Sequence, residues 1–448
     1  MANIIEVHVL RAYSTNNVNR GENGEIKTVS VGGDVRTRQS SQSWKHMLRN
    51  ALATYEQKTH HTRYVADILM NKLMEAKNIS EEDAPVYRYI FDKVFNVKKK
   101  SKKNSERDHT EEINVYYDNE LSAIVNAVYA LYTDDNAFRD EIAKEYDKAA
   151  KKDAKENDDA KPKTSSNSSE SGDTKAIKKV RDRVIEAVKS STVGPEIALF
   201  GRMITTGIGG TVPSATHFNH AYSIDKYEGD FDYFTAVDTD LPKDTEGIGA
   251  AHLDSASIAA NTMYGYFNID PLQMYKNLCA ELPYLDIDAS DIPAKEREYK
   301  ETVKKQIINL IKLYLLSHPE GKQNSTASYP TPSVVYITVV RDGFPCTLDS
   351  LFSLPIVRYE NETSVPAIGA KKILGYIKED AIQTYDRQYL LLDSVTRRCI
   401  ERGTNKASAD GTVEAYARAL ETDNVLMPIN KLGDVLTDLS AVIEDMLN

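Results

Sequence analysis

A helix predicted to begin near Gln42 carries side chains suited to holding a run of phosphates. Ser40 can cap its first turn, where backbone N–H groups without helical acceptors and the positive end of the helix dipole attract anions. Gln42 adds a further side-chain donor at the same end. Lys45 and Arg49 lie four residues apart, so both project from one helix face. The structural alternative is a solvated helix face with an ordinary serine cap.

Basic residues also precede this helix. Arg20 and Lys27 lie in the segment 14–38, whose Asn and Gly content predicts a loop. From Arg20 to Arg49 six residues are basic and three are acidic, a local charge of +3 in a chain of net charge −11. Because binding depends on the local field, the acidic total does not exclude a polyanionic partner.

Two further segments combine side chains that could contact nucleotides. In 201–207, Met203 offers a polarisable apolar tip that could lie under a base while Arg202 meets a phosphate. In 231–238, strand alternation places Phe234 on the face opposite its neighbours, where an exposed ring would stack on a base. The alternative for both Met203 and Phe234 is an ordinary core position.

Signatures of enzymes, metal sites and membrane proteins are missing from the sequence. It contains no HExxH, GxSxG or Walker loop, and its three cysteines form no CxxC pair. Asp34 could assist cleavage of a bound RNA, although a salt-bridged loop acid is the alternative. No apolar run reaches about 18 residues, and no signal peptide is recognisable, so a cytoplasmic protein is expected.

The predicted elements favour an α+β fold. The first strand alternates, with Val7 and Val9 toward a core and Glu6 and His8 on a polar face. The predicted order is strand (4–10), helix (42–55), strand or hairpin pieces (198–270), helix (294–317) and strand (333–340). This order suits the split βαβ, ferredoxin-like core of an RNA-recognition motif. A low-complexity stretch, 148–174, predicts a flexible segment.

Several motifs, in this order, resemble the type I-E CRISPR Cascade backbone subunit, the CasC family of the RAMP superfamily. They are His8-Val9-Leu10, Asn19-Arg20, Gly32-Gly33, the run RQSSQSWK from Arg38 to Lys45, ALFGRM from Ala198 to Met203, YFTAVD from Tyr233 to Asp238, Ala251-His252-Leu253 and YGYFNI from Tyr264 to Ile269. The resemblance covers about residues 3–50 and 198–275 closely.

The resemblance implies a ferredoxin-like palm with a helical fingers insertion and a β-hairpin thumb. The implied domains are palm, first part (1–58), fingers (59–190) including the flexible segment 148–174, palm (191–210), thumb (211–262), palm, second part (263–345), and a C-terminal helical extension (346–448). The fingers and the flexible segment match no part of the family pattern, and the basic run Lys98–Lys103 is either a duplex-steering patch or a solvated loop.

The resemblance also assigns roles to residues. The implied RNA-binding side chains are Arg20, Lys27, Ser40, Gln42, Lys45 and Arg49 on the guide backbone, Arg202, Met203 and Thr206 from the palm, and Phe234, Thr235 and Leu253 at the thumb. Copies would stack head to tail along a CRISPR RNA in a helical filament and present its bases to target DNA.

The implied partners are CRISPR RNA, target DNA, further copies of the chain and the capping, large, small and RNA-processing Cascade subunits. No catalytic residue, cofactor or metal is expected, because a recruited helicase-nuclease cuts the target. Two alternatives stay open: an RNA endonuclease like type III relatives, using Asp34, and a general RNA-binding adaptor.

Overall fold

The computed structural model describes most of the chain and divides it into two compact units. The described residues are 2–53, 59–98, 108–158, 174–191, 193–204, 208–237, 250–279, 292–357, 364–380, 385–404 and 431–448. The first unit comprises Met1–Thr54, Ala215–Tyr275 and Lys300–Asn448, and the second comprises Tyr55–Ser214 and Lys276–Tyr299. Each unit is described by itself below.

Strands and helices are interspersed along the chain. The strands are β1 (Ala2–Ala12), β2 (Thr28–Val31), β3 (Asp34–Gln39), β4 (Thr59–Thr62), β5 (Asn114–Tyr117), β6 (Thr216–Phe218), β7 (Ala221–Ser223), β8 (Asp230–Val237), β9 (Ala250–Ile258), β10 (Thr262–Ile269), β11 (Pro332–Gly343) and β12 (Arg387–Leu392). The helices are α1 (Ser41–Leu52), α2 (Val65–Ala76), α3 (Ala84–Val94), α4 (Asp118–Asp134), α5 (Asn136–Asp158), α6 (Lys175–Lys189), α7 (Pro195–Phe200), α8 (Pro271–Leu278), α9 (Ile292–Leu316), α10 (Gln323–Thr326), α11 (Val365–Gly375), α12 (Ser394–Thr404) and α13 (Leu432–Leu447). A 3-10 helix spans Asp349–Phe352, and a π-helical turn spans Tyr376–Asp380.

The first unit is built on an antiparallel sheet. Its strand order is β12-β11-β1-β10-β7-β3-β2, with β6 also paired to β10. In the centre, Val7 of β1 lies opposite Phe267 of β10 and Ile337 of β11. The strands predicted at 4–10 and 333–340 are therefore confirmed as neighbours at the centre of this sheet.

Helices α1 and α9 cover one face of this sheet. Trp44 and Leu48 of α1 are buried one turn apart, which is the stripe expected for a core-facing helix. The ring of Trp44 lies 4.7 Å from that of Tyr314 on α9, and Tyr314 lies 4.5 Å from Phe267. This packing holds α1 on the sheet and leaves its opposite side available.

The other face of β1 is buried as well, which corrects the prediction of a half-buried strand. Glu6 accepts hydrogen bonds from the Tyr266 and Thr338 hydroxyls at 3.0 and 2.8 Å, and from the backbone N–H of Cys346 at 2.6 Å. His8 lies 3.0 Å from the Tyr264 hydroxyl. Burial raises the pKa of Glu6 and lowers that of His8 to about 3. The polar side chains are tolerated because each has partners.

The C-terminal region supplies that cover. The 3-10 helix and α11 pack on the sheet face beside Leu10, with the Phe352 ring 5.2 Å from that of Tyr264. Strand β12 pairs with β11, with Tyr389 opposite Ile337. The region 346–448, predicted as a helical extension, therefore contributes a strand to the sheet and belongs to the first unit.

The segment 14–38 contains a hairpin where the sequence predicted only a loop. Strands β2 and β3 pair antiparallel around Gly32-Gly33, and both glycines have positive φ, 62° and 86°. A two-residue turn of this kind matches the twist of a hairpin and requires residues that adopt positive φ. The strands on either side are short and mix polar with apolar residues, so the sequence showed no clear strand pattern there.

The region predicted as the thumb, 211–262, divides between two sheets. Strands β6 and β7 pair with β10 in the large sheet. In the described part of this region, β8 and β9 form a separate two-stranded ribbon, from Asp230 opposite Ile258 to Val237 opposite Ala250. The separate hairpin is therefore shorter than predicted, because the strands that flank it complete the large sheet.

The second unit is mainly helical and has its own apolar core. Helices α2, α3, α4 and α6 bury Leu69, Phe91, Ile124 and Val180 against one another. Helix α5 continues through Asp158, so the first part of the segment 148–174 is helical, in keeping with its Ala, Lys and Glu content. The rest of the segment, 159–173, lies outside the described residues.

The second unit also contains the segment 191–210, which was predicted as palm. Residues 195–200, where strand or hairpin pieces were expected to begin, form helix α7. Pro195 occupies its first turn, and Gly201, with φ 74°, ends it. Proline at the start and glycine after the end are typical helix boundaries. The apolar run Ala198–Phe200 is too short for periodicity to separate helix from strand.

Candidate nucleic-acid interface

The N-terminus of α1 is capped and carries no negative charge. Ser40 has extended backbone angles, and its Oγ accepts a hydrogen bond from the Gln42 N–H at 3.3 Å. The first turn of α1 contains no acidic residue. The Gln42 side chain is exposed. No carboxylate in the first turn of α1 therefore compensates the positive end of the helix dipole, which can attract an anion.

Lys45 and Arg49 bring two positive charges onto this helix. Lys45 is partly buried, with its Nζ 5.7 Å from the centre of the Phe218 ring. Burial, and then the neighbouring charge of Arg49, lower the pKa of Lys45. A polyanion beside the two side chains would raise the pKa of Lys45 again, because it favours the charged ammonium.

Arg20 and Lys27 frame the same helix start. The Asn19 side chain accepts a hydrogen bond from the Ser40 N–H at 3.2 Å, and the Asn19 carbonyl accepts one from the Lys27 N–H at 2.8 Å. Arg20, the next residue, forms a backbone bridge with Ile26. Ser40 and Lys27 are therefore both hydrogen-bonded to Asn19, the residue before Arg20.

Two residues of this surface were not singled out from the sequence. Arg38 donates a hydrogen bond from Nη1 to Nδ1 of His220 at 3.0 Å. Burial, and then the charges of Arg38 and Lys27, lower the pKa of His220. His220 stands 182 residues from Arg38 in sequence, so only the pairing of β3 with β7 brings them together. We call Arg20, Lys27, Arg38, Lys45 and Arg49 the cationic cluster.

A third missed residue, Lys322, connects this surface with the β8–β9 ribbon. Arg20 lines an open groove of about 630 Å³ together with residues 320–325. In that loop Lys322 adopts a left-handed backbone, with φ 51°. Its Nζ lies 5.9 Å from the centre of the Phe234 ring. Nothing in the charge pattern after α9 distinguishes Lys322 from other surface lysines.

The ribbon presents exposed side chains at the predicted thumb positions. Phe234 is 43% exposed, which favours the exposed interpretation over a core position. Thr235 is exposed and lies opposite Leu253 in the strand register. The side chain of Leu253 lies outside the described part of the structure.

Asp225 ties together the strands on either side of the ribbon, since its carboxylate accepts a hydrogen bond from the Thr262 N–H at 3.0 Å. Burial raises its pKa to about 6 from an ordinary value of 3.8. The folded state therefore binds this proton more tightly than the unfolded state, so its stabilising effect is lost as the pH rises from about 4 to about 6. Between about pH 4 and pH 6, the free energy of unfolding of the unchanged protein should fall by up to about 3 kcal/mol. Asp225→Asn should not show this fall. Urea titrations of both proteins at several pH values would measure it, and parallel pH profiles would contradict it.

Arg202 is buried in the second unit, which corrects its assignment as a direct RNA contact. Its guanidinium donates to both carboxylate oxygens of Glu120 at 2.6 and 2.8 Å, and both side chains are 1% exposed. It also donates to the carbonyls of Gly209 and Gly210. Burial raises the pKa of Glu120, and the charge of Arg202 opposes that rise. Arg202 therefore holds Gly209 and Gly210 from inside the second unit.

Met203, next to it, is 81% exposed. The core alternative for Met203 is therefore wrong, and its tip is accessible to a ligand. Thr206 lies outside the described residues, so its assignment stays a prediction.

Asp34 begins β3 and is ion-paired, with Oδ1 3.0 Å from the Lys226 Nζ. This is the salt-bridged acid that the sequence left open as an alternative. Within the described ranges, no three His, Cys, Asp or Glu side chains are grouped so that they could hold a metal ion. Lys98 is ion-paired with Glu111, and the rest of the basic run, 99–103, lies outside those ranges. None of the described helices combines the length and the apolar character needed to cross a membrane.

The fold and this surface define an α+β protein in which the cationic cluster lies on α1 and in the segment before it. The sequence model of the CT1975-like protein family matches residues 5–421, so the chain belongs to this family. No curated protein sequence matches the chain closely enough to count as a relative.

Two solved structures share the fold. A chain of a "CRISPR RNA-guided surveillance complex, pre-nicking" is 22% identical, with a TM-score of 0.65 over 98% of this chain and 100% of its own length. A chain of a "CRISPR RNA-guided surveillance complex" is 18% identical, with a TM-score of 0.60 over 98% of this chain and 99% of its own. The likeness extends over both units, including the C-terminal region.

Proposed function

We propose that this chain is the CRISPR RNA-binding backbone subunit of a type I-E Cascade complex in the cytoplasm. Copies bind head to tail along the guide, hold its phosphates and leave the base edges free to pair with target DNA. Phosphate contacts suit this task because they position a strand without reading its sequence. Head-to-tail contacts do not close on themselves, so the RNA sets the length of the assembly. The other Cascade subunits and a recruited helicase-nuclease complete its function.

The arrangement of the first unit supports a ferredoxin-like palm. Strands β11, β1, β10 and β7 lie side by side and antiparallel. Helix α1 follows β1, and α9 precedes β11. This is the order of a split βαβ core in which each helix crosses one face of the sheet. In this proposal the second unit is the fingers and the β8–β9 ribbon is the thumb.

The observation that carries the proposal is the capped start of α1 together with the cationic cluster, which lies on α1 and in the segment before it. Its five basic residues fall between positions 20 and 49, although the whole chain has a net charge of −11. The first turn of α1 holds no carboxylate. An anion with regularly spaced charges would meet both the helix N-terminus and the cluster. The family and the titles of the two similar structures make a CRISPR RNA the proposed polyanion.

Co-expression with a CRISPR array and the other Cascade subunits tests this function. The complex purified through a tag on this chain should retain RNA of uniform length that begins and ends in repeat sequence. The same purification without the array is the control. A complex free of RNA, or one holding random cellular RNA of mixed length, would contradict the proposal.

The chain itself is proposed to be non-catalytic, and Asp34 tests this. Because Asp34 is ion-paired to Lys226, Asp34→Ala should leave a complementary RNA as intact as the unchanged complex does. Incubation with Mg²⁺ and end-labelled RNA, followed by gel analysis, would measure it. Cleavage that disappears in Asp34→Ala would support the endonuclease alternative instead.

A further inference from the structure

A groove beside the cationic cluster has the composition of a site for a flat aromatic ring. Its volume is about 470 Å³, and its lining includes Val31, His220, Tyr222, Asp349, Ser350 and Ser353. Most of the lining is carbon, with a few polar groups, as is usual in sites for small aromatic ligands. None of the RNA contacts predicted from the sequence lies among these residues.

The rim nearest the cationic cluster is a neutral, oriented imidazole. Because Arg38 has only donors, its 3.0 Å contact with Nδ1 of His220 requires Nδ1 to be the acceptor. Burial, and then the charges of Arg38 and Lys27, lower the pKa of His220, which favours the uncharged ring. With Nδ1 as the acceptor, the hydrogen of the uncharged ring is on Nε2, and His220 is exposed.

Contacts from the strands beside the groove hold its Ser353 lining in place. The buried guanidinium of Arg36 donates to the Ser223 carbonyl at 2.9 Å and to the Ser353 carbonyl at 3.3 Å. A side chain at Gly32 would lie only 1.8 Å from the Ser353 oxygen, so the β2–β3 turn presses directly on this rim. Asp349 also lines the groove, and a carboxylate there accepts hydrogen bonds from N–H groups of a base while repelling phosphate.

Positive charge therefore lies beside His220. Lys27 and Arg38 are close enough to lower the pKa of His220, and Asp349 adds a carboxylate to the same lining. A nucleotide fits this polarity, with its phosphate toward the two cations and its base over the apolar floor. A peptide strand would match the apolar floor but has no phosphate for the cationic end.

We propose that this groove binds one unpaired nucleobase of the RNA whose phosphates occupy the cationic cluster. This inference rests on the proposed function, since it assumes that RNA is bound. His220 stacks on the base, Asp349 accepts from its N–H groups, and Arg38 with Lys27 holds the adjoining phosphate. All four common bases carry such N–H donors, so occupancy is tolerant of sequence.

Filling the groove tests the proposal. Ser350 is exposed on the groove wall, so Ser350→Phe should occupy the space meant for the base. Thr347→Phe, an exposed position three residues away that does not line the groove, is the matched control. Each full-length protein is titrated with an RNA and with an abasic ribose-phosphate strand of the same length. The ratio of the two affinities isolates the part of binding that depends on bases.

Ser350→Phe should lower that ratio about ten-fold, since one stacked base contributes about 1–3 kcal/mol, while binding of the abasic strand stays unchanged. Thr347→Phe should leave both affinities unchanged. Asp349→Ala should lower the ratio in the same direction and does not depend on a bulky substitution.

Three results would overturn the inference. One is an unchanged ratio in both groove variants, and another is an equal loss on the two strands. A loss of binding to protein subunits alone would assign the groove to a peptide. If the unchanged chain binds neither strand, the proposed function fails together with the groove. Binding of both strands with an unchanged ratio in the variants removes the groove alone.

Discussion

Arg202→Ala is expected to lower the free energy of unfolding of the second unit by about 3–5 kcal/mol. The substitution leaves Glu120 as an uncompensated charge, because its carboxylate is 1% exposed and Arg202 is its buried cationic partner in the described structure. It also removes the donors that hold the carbonyls of Gly209 and Gly210. Gly209 and Gly210, and the exposed Met203 next to Arg202, should lose their fixed positions at the same time.

Urea denaturation of the full chain, followed by circular dichroism, would measure this effect. Arg183→Ala is the matched control, because Arg183 pairs with Glu186 in the same unit but at an exposed site. Exposed pairs of this kind contribute about 0–1 kcal/mol. A loss of similar size in both variants would contradict a structural role for Arg202.

The destabilisation caused by Arg202→Ala should also depend on pH. Burial already raises the pKa of Glu120, and removal of Arg202 takes away the charge that opposes the rise. A carboxyl whose pKa is higher in the folded than in the unfolded state loses stability as the pH rises through that range. The destabilisation by Arg202→Ala should therefore be larger at neutral than at acidic pH. Equal losses at both pH values would show that the ion pair is not its cause.

Lys45→Ala with Arg49→Ala should weaken RNA binding by about 25-fold at about 0.1 M salt. Each lost phosphate contact lowers the salt slope by about 0.7 on a single strand, so the pair lowers it by about 1.4. The loss should be the same for unrelated RNA sequences, because phosphates carry no sequence information. The cap at Ser40 and the buried stripe of α1 remain, so the helix itself is preserved.

The control removes the same charge elsewhere in the first unit. Lys371 and Lys372 are exposed neighbours on α11, and Lys371→Ala with Lys372→Ala changes the net charge equally. Fluorescence anisotropy at four or more salt concentrations gives the slope for each protein. An unchanged slope in the α1 variant, or an equal change in the control, would mean that α1 does not meet the phosphate chain.

The local parts of the fold and of the interface were predictable from the sequence. The spacing of Trp44 and Leu48 predicted which face of α1 is buried, and Ser40 marked its start. Those signals lie within one helical turn of the residues they position. The strand at 4–10 was likewise visible in its alternation, and the structure confirms it.

Features made by distant segments were not predictable. Glu6 and His8 have the pattern of a solvated face, and they are buried because residues more than 300 positions away cover that side of the sheet. Arg202 resembled a phosphate contact because its partner, Glu120, is 82 residues earlier, in α4. His220 reaches Arg38 only through the pairing of two strands. Each case needs the topology before the chemistry can be assigned.

The central claim is that the start of α1 and the cationic cluster hold an RNA by its phosphates, whatever its sequence. The most direct measurement is the affinity of the full-length chain for two unrelated RNAs of equal length across a range of salt concentrations. We expect equal affinities within about three-fold and a steep, shared decrease with salt. Binding that is insensitive to salt, or that is confined to one of the two sequences, would contradict the claim.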